Sequence, residues 1–209
     1  MEGKYICVMG TLGCGKTTVS RLLAGELELT LLEEKFAENP FLPRFYKDME
    51  RWAFDSQMFF LTEKIGQVKE AERLLVEVSV LQDTPIQQDV YGYAKAQMIM
   101  GNMSADEWKL YLRVFEMVEE KLPKPDLVVY LEASIATLME RIRGRDRKFE
   151  EGIDESYLRL LDEVNKTWLM NNNRIEVMKV DTNGLDLVGK AADKKKLVGQ
   201  VKERLVGRR

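Results

Sequence analysis

The segment "GTLGCGKTT" (residues 10–18) directly follows the apolar run "YICVM" (residues 5–9) and decides the fold. A glycine, four residues and then Gly-Lys-Thr is the spacing of a phosphate-binding loop between a strand and a helix. Glycines permit backbone conformations that turn consecutive N–H groups inward as an anion nest. The helix that follows adds the positive end of its dipole. The pattern therefore predicts binding of a nucleoside triphosphate by Gly10, Gly13, Cys14, Gly15, Lys16, Thr17 and Thr18.

Two side chains of this loop carry specific chemistry. Lys16 has the reach to contact the β- and γ-phosphates, and the Thr17 hydroxyl is a ligand for Mg²⁺. Water, a protein and a small molecule all remain possible phosphate acceptors at this point.

Composition restricts the acceptor and the chemistry. A chain of 209 residues is expected to form one domain, residues 1–209. The formal net charge of −3 argues against a nucleic-acid partner bound through a general basic surface. Histidine is absent, which excludes Ser-His triads and leaves a carboxylate as the expected general base.

The cysteines and the apolar runs indicate the cellular compartment of the protein. The two cysteines, Cys7 and Cys14, form no disulfide framework and fit a reducing compartment. No apolar run approaches the ~20 residues of a membrane span. The first strand starts by Lys4, which leaves no room for a signal peptide. We expect a cytoplasmic protein without a membrane partner.

Apolar runs alternate with helical stretches along the whole chain. This order predicts a mostly parallel five-stranded sheet with helices on both faces, the α/β fold of phosphate-loop NTPases. The predicted strands cover residues 5–9, 29–34, 74–81, 127–133 and 175–180, and the predicted helices cover residues 50–72, 86–101, 104–121, 134–143, 154–171 and 186–206.

The second strand ends in two glutamates. Carboxyl ends of parallel strands face the ligand crevice, so Glu34 can accept a proton from an acceptor hydroxyl. Glu33 would point to the opposite face if the strand continued that far. The long segment that follows, "LLEEKFAENPFLPRFYKDMERWAFDSQMFFLTEK", also contains an Asn-Pro loop and Gln57 on a predicted helix.

This order resembles the deoxyribonucleoside kinases, particularly their bacterial purine branch, from the phosphate loop to about residue 170. In that family a catalytic glutamate, an Asn-Pro loop and a base-reading glutamine occur in sequence, matched here by Glu34, Asn39-Pro40 and Gln57. After the third strand the family has an acid, an Asp six residues later and an aromatic four further on. By resemblance Asp83 holds Mg²⁺ with Thr17, Asp89 contacts the base, and Tyr93 stacks over it.

The chain departs from the family at Thr84, where the family has an arginine beside the acid. That arginine contacts the catalytic carboxylate and the acceptor end of the substrate, and a neutral hydroxyl supplies neither its charge nor its forked donors. The sequence therefore leaves open a catalytically weak or structural relative.

The segment "ERIRGRDRKFEEGID" places three arginines between two predicted helices, with the spacing of the family lid: Arg141, Arg145 and Arg147. Phosphoryl transfer depends on positioning and on neutralising the charge of the moving group, which suits arginines on a mobile loop. By the same resemblance Glu150 and Tyr46 hydrogen-bond the sugar 3′-hydroxyl.

The predicted function is transfer of a γ-phosphoryl group from ATP or another NTP to the 5′-hydroxyl of a deoxyribonucleoside, preferably a purine one. Mg²⁺ is the expected cofactor and a homodimer the expected assembly. The alternatives are a nucleoside monophosphate kinase, which would need a cationic site for the acceptor phosphate, and a nucleotide-binding structural subunit.

Overall fold

The computed structural model describes residues 3–145, 147, 150, 152–172 and 175–206. Five parallel strands form one sheet in the order β2-β3-β1-β4-β5. Their bounds are β1 Tyr5–Gly10, β2 Thr30–Leu32, β3 Val80–Asp83, β4 Leu127–Glu132 and β5 Val177–Asp181. The predicted five-stranded parallel α/β fold is confirmed.

Strand β1 lies in the middle of the sheet, and all six of its residues are buried. Its side chains alternate between two cores, as the two-residue period of a strand requires. Ile6 and Val8 pack on one face of the sheet, and Tyr5, Cys7 and Met9 pack on the other. Both faces are covered, which explains why the strand is a continuous apolar run.

The helices are α1 Lys16–Leu27, α2 Leu42–Phe45, α3 Met49–Leu74, α4 Ile86–Gln88, α5 Lys95–Ile99, α6 Ala105–Glu119, α7 Ile135–Gly144, α8 Glu155–Asn171 and α9 Ala191–Val206. A 3-10 turn covers Phe36–Glu38, and a π-helical segment covers Asp89–Ala94 between α4 and α5. Among the described residues, no helix is long and apolar enough to cross a membrane.

Most predicted elements match the structure to within two residues at each end, but three differ by more or in the type of helix. The third strand was placed at residues 74–81, but α3 continues to Leu74 and the strand begins at Val80. Val76 and Val78 are 75% and 40% exposed, so their β-branched side chains do not reach the core. The helix predicted at 86–101 is interrupted by the π-helical segment, and the last helix starts at Ala191 rather than at residue 186.

Candidate active site

A cleft of about 480 Å³ opens at the carboxyl edge of the sheet, around the start of α1. The loop residues predicted to bind phosphate line it, apart from Gly10, which ends β1. Gly13 and Gly15 have φ angles of 88° and 99°, in the left-handed region that favours glycine. The lining members are Gly13, Cys14, Gly15, Lys16, Thr17 and Thr18.

Gly10 is fixed at the entrance to the loop. Its N–H donates to Gln88 Oε1 at 3.1 Å, and its carbonyl accepts from Gln88 Nε2 at 2.6 Å. A Cβ at Gly10 would lie 2.6 Å from the Leu131 carbonyl oxygen, too close for any side chain. The loop therefore enters the site through a position that only glycine fits.

Lys16 points into the site from the first turn of α1. Its ammonium donates to the Gly10 carbonyl at 2.9 Å and to the Tyr93 hydroxyl at 3.2 Å. Burial raises the pKa of Tyr93 well above its usual value, with the neighbouring Glu34 as a further cause. The phenol thus stays protonated, and its tip lies against the phosphate loop.

Thr17 and Asp83 meet at the end of β3. The Thr17 hydroxyl donates to Asp83 Oδ2 at 2.7 Å. A hydroxyl and a carboxylate in contact at this place are the donor pair with which phosphate-loop enzymes hold Mg²⁺. The residues present therefore fit the predicted metal.

The two glutamates after β2 have separate surroundings. Glu33 forms an exposed ion pair with Arg21, whereas the Glu34 carboxylate lies 3.5 Å from the ammonium of Lys64, a residue of α3. Strand β2 ends at Leu32, before either glutamate. Glu34 is the one that lines the phosphate-loop cleft, in agreement with its choice as the candidate base.

A smaller cavity of about 60 Å³ adjoins the cleft. Leu12, Glu34, Phe36, Tyr93 and Arg147 line both spaces. Every side chain that the resemblance assigns to the substrate lines the smaller cavity: Tyr46, Gln57, Asp89, Tyr93 and Glu150.

Two acceptor atoms of this cavity have no hydrogen-bond partner among the described residues. Gln57 Oε1 and Asp89 Oδ2 are both buried, and each residue is at most 3% exposed. Leaving such atoms unpaired costs about 1–3 kcal/mol each, so natural structures usually satisfy them. A ligand with hydrogen-bond donors that entered this cavity could pair with both atoms.

Burial is the largest influence on the pKa of both aspartates, Asp83 and Asp89. It raises the pKa of Asp83, and the charge of Glu34 adds to the rise, whereas Lys16 and Lys64 oppose it. Asp89 is buried to the same extent, and its pKa is raised well above the usual range, mainly by desolvation, with Lys64 the largest opposing influence.

The arginines of the predicted lid are not all on a loop. Arg141 belongs to α7, where its guanidinium donates to the Thr182 hydroxyl at 3.0 Å and to the Cys14 carbonyl at 3.4 Å. Arg145 directly follows the helix. Arg145 and Arg147 both pair with the buried Glu150, at 2.6 and 3.3 Å. The expectation that all three lie on a mobile loop is therefore wrong for Arg141, which lies inside the helix predicted at residues 134–143, because the apolar face of α7 extends past it to Ile142.

Two further polar residues at the site were missed from sequence. Gln88 holds Gly10, and Lys64 contacts Glu34. Lys64 did carry a signal, because it follows Gln57 by seven residues and so lies on the same buried face of α3.

Comparisons with known proteins agree with this geometry. Residues 6–206 match the family described as deoxynucleoside kinase. The deoxyguanosine kinase of Bacillus subtilis (strain 168) is 28% identical over 206 residues, which cover 97% of this chain and 98% of the relative. The deoxyadenosine/deoxycytidine kinase of the same organism is 30% identical over 204 residues, which cover 96% and 92%.

Solved structures give the same result. Deoxyadenosine kinase from M. mycoides, with the products dCMP and a flexible dCDP bound, superposes with a TM-score of 0.83 at 26% identity, covering 95% of this chain and 99% of the other. The same kinase with bound dATP gives a TM-score of 0.80 at 26% identity over the same shares. The chain therefore belongs to the deoxynucleoside kinase family of phosphate-transferring enzymes.

Proposed function

We propose that this kinase transfers the γ-phosphoryl group of ATP or another NTP to the 5′-hydroxyl of a deoxyribonucleoside, with Glu34 as the general base. The observation that carries the proposal is the position of Glu34, which lines both the phosphate-loop cleft and the adjoining cavity. A carboxylate at this boundary can take the proton of an acceptor hydroxyl that faces a phosphate in the cleft.

The other polar and charged groups of the site would neutralise the phosphates or bind the metal. Lys16, Arg141, Arg145 and Arg147 line the cleft and would neutralise negative charge on the phosphates. Thr17 and Asp83 would hold Mg²⁺. Mg²⁺ held by these two residues would neutralise part of the negative charge on the phosphates.

The acceptor cavity must widen when a nucleoside enters. Its volume of about 60 Å³ is far below the roughly 300–1,000 Å³ of small-molecule sites. Arg147 packs over Phe36 with its guanidinium carbon 3.9 Å from the ring centre, and pairs with Glu150. Opening of these contacts would admit the nucleoside and expose Glu150, with Tyr46, to the sugar 3′-hydroxyl.

The test compares two neighbouring glutamates. Glu34→Gln should lower kcat by about 10²–10⁴-fold, because the amide keeps the shape but accepts no proton. Glu33→Gln is the matched control, since Glu33 itself does not line the cleft and its carboxylate pairs with the exposed guanidinium of Arg21, and its kcat should stay near that of the natural chain. A normal kcat for Glu34→Gln with a low kcat for Glu33→Gln would move the base by one residue.

A radiolabelled-phosphate screen of the four deoxynucleosides, with ATP and GTP as donors, tests the activity itself. Turnover of none of them, despite tight nucleotide binding, would support the structural-subunit alternative. The screen also identifies the donor nucleotide.

The preferred base is proposed to be a purine. The unpartnered acceptors Gln57 Oε1 and Asp89 Oδ2 suit a base with an exocyclic amine, which adenine, guanine and cytosine carry and thymine lacks. The names of the Bacillus subtilis relatives include deoxyguanosine and deoxyadenosine, and one includes deoxycytidine. The amine does not separate purines from cytosine, but both names include a purine deoxynucleoside, so purine deoxynucleosides are proposed to exceed the others in kcat/KM by about tenfold to a hundredfold.

A competition assay measures this preference. Asp89→Ala should reduce the preference more than it weakens ATP binding, because Asp89 lines the acceptor cavity and not the phosphate-loop cleft. Phosphorylation of deoxycytidine or thymidine ahead of both purines would overturn the purine assignment and leave the kinase reaction intact.

We also propose that residues 1–209 form one catalytic domain and that the protein acts in the cytosol. Two copies are proposed to form a homodimer through α3 and α6. Leu110 and Met117 on α6 are 52% and 72% exposed, which supports an apolar contact there. Phe115 on the same helix is fully buried in the core and does not belong to this surface. Light scattering should show a dimer at micromolar concentration, Met117→Glu should weaken it, and a monomeric natural chain would refute the pairing.

A further inference from the structure

Thr84 follows the acid of β3, at the position where the resemblance noted above predicts an arginine. The Thr84 side chain is fully buried, and its hydroxyl contacts Asp83 Oδ1 at 3.4 Å. Its φ angle of 61° is unusual for a β-branched residue, and its N–H donates to the Val8 carbonyl at 3.1 Å. The position therefore supplies no positive charge, and a cation for Glu34 must come from another element.

Such a cation comes from α3. Lys64 is 1% exposed, and its ammonium donates to the Asp83 main-chain carbonyl at 2.9 Å while lying 3.5 Å from Glu34 Oε1. One turn further along the helix, Gln67 Nε2 donates to the Glu33 carbonyl at 2.8 Å. Two residues of α3 thus hold the Glu33-Glu34 segment: Gln67 binds its backbone, and Lys64 pairs with the Glu34 carboxylate.

Lys64 lies among several ionisable groups. Glu34 approaches from the segment after β2, Asp83 from β3 and Asp89 from the π-helical segment. Lys16 on α1 also acts on both aspartates, and the buried thiol of Cys7 faces Lys64 from β1. Burying carboxylates together is costly unless cations accompany them, so Lys64 is a shared counter-charge for this group.

Lys64 does not line the phosphate-loop cleft or the acceptor cavity. It can therefore influence the reaction through the groups it holds, without touching either substrate. This separates it from Lys16, which lines the cleft.

We propose that Lys64 takes the place of the missing arginine as the positioning residue that directs the Glu34 carboxylate toward the acceptor hydroxyl. The inference rests on the proposed role of Glu34 as general base. Lys64 holds the carboxylate at the boundary of the two cavities, and the hydrogen bond to the Asp83 carbonyl fixes the ammonium itself.

Kinetics of three single variants test the role. Lys64→Met should lower kcat by about 10²-fold, the usual consequence of misplacing a reacting group by about 1 Å. The KM for ATP should change little, because Lys64 does not line the cleft. Lys64→Arg should restore most of kcat, and Lys69→Met, at an exposed site on the same helix, should match the natural chain.

The kcat–pH profile gives a readout that a purely structural role would not move. An ammonium favours the ionised form of neighbouring carboxylates, so its loss should shift the acidic limb of the Lys64→Met profile to higher pH. The acidic limbs for Lys64→Arg and Lys69→Met should stay in place. An unshifted limb in a folded Lys64→Met protein would overturn the proposal.

A double variant keeps the question answerable if Lys64→Met alone does not fold. Removing Lys64 and Glu34 together leaves neither member of that ion pair without the other. The kcat of Lys64→Met/Glu34→Gln should equal that of Glu34→Gln, because a residue that acts through Glu34 has no effect in its absence. A further fall of about 10²-fold would overturn the positioning role.

The outcomes distinguish the two proposals. If Glu34→Gln retains kcat, the proposed general base is wrong and the role of Lys64 falls with it. If Glu34→Gln is inactive and Lys64→Met behaves like Lys69→Met, the base assignment holds and only the role of Lys64 is refuted.

Discussion

Replacing Asp89 with asparagine should stabilise the ligand-free protein relative to the natural chain, and this advantage should grow as the pH rises above about 4. Asp89 is 1% exposed, and its Oδ2 has no hydrogen-bond partner among the described residues. Burial raises the pKa of this carboxyl well above its usual value, Lys64 and Lys16 oppose the rise, and Glu34 and Asp83 add to it. Ionising Asp89 in the folded state is therefore costly, and asparagine avoids that cost with almost the same shape.

The sign follows from proton linkage. In the natural chain the folded state holds the Asp89 proton more tightly than the unfolded chain, whose aspartates titrate near ~3.9. The stability that this provides is fully present below that pH and is lost as the pH rises toward the folded pKa. Each pH unit in this window lowers the free energy of unfolding by at most about 1.4 kcal/mol. Asparagine does not titrate, so the difference in free energy of unfolding between the variant and the natural chain should grow by up to that amount with each pH unit.

Urea unfolding of the nucleotide-free protein at pH 4.5, 5.5 and 6.5, followed by tryptophan fluorescence, is the assay. Asp154→Ala is a control of opposite sign, because hydrogen bonds from Ser156 lower the pKa of Asp154. That contribution is fully present above about pH 3.9 and is lost only as the pH falls below it toward the folded pKa, so the Asp154→Ala deficit should be the same at all three pH values. A constant difference between Asp89→Asn and the natural chain at all three pH values would refute the reasoning.

Three other substitutions test local features of the fold. Gly66→Ala should stabilise the protein by about 0.5–1 kcal/mol in urea unfolding, because an added Cβ in the middle of α3 would meet nothing within 4 Å, and no gain would contradict this. Gly10→Ala should abolish ATP binding in calorimetry, because its φ is 152° and its Cβ would lie 2.6 Å from the Leu131 carbonyl oxygen; retained affinity would contradict that geometry. Tyr111→Phe should leave the thermal midpoint equal or higher, because the buried Tyr111 hydroxyl has no partner among the described residues, and a clear loss would reveal a bond that this geometry lacks.

Much of the fold could be predicted because its signals are local. A glycine-rich loop between an apolar run and a helix has few structural solutions, and residues 5–18 adopt the expected one. Alternation of apolar runs with helical stretches is enough to predict a parallel sheet with covered faces. Even so, the strand order β2-β3-β1-β4-β5 depends on contacts between distant segments and was not predicted.

The errors in element bounds have a common cause. The run "LLVEVSVL" has the residue types of a strand throughout, but only its end reaches the sheet. Leu74 still belongs to α3, and Val76 and Val78 are exposed in the connection. Propensity gives the conformation that a residue favours, whereas tertiary packing decides where the helix ends and the strand begins.

The site residues taken from motif spacing lie together in the structure. Asp89 and Tyr93 illustrate this, because they line one cavity although the backbone between them is π-helical rather than α-helical. A spacing of four keeps two side chains on nearly the same face in either geometry. The prediction therefore survived a wrong assumption about the helix.

Contacts between distant elements were not visible in the sequence. Thr84 looked like a loss of catalytic charge, because a motif search examines only the residue at that place. The structure brings Lys64 from α3 to 3.5 Å from Glu34, so the carboxylate still has a close cation. A lysine provides the charge of an arginine without its paired donors, and here the Asp83 carbonyl and Gln67 fix the ammonium and the neighbouring backbone. Under the role proposed for Lys64, a substituted motif residue indicates lost activity only when no other element delivers the same charge to the proposed base.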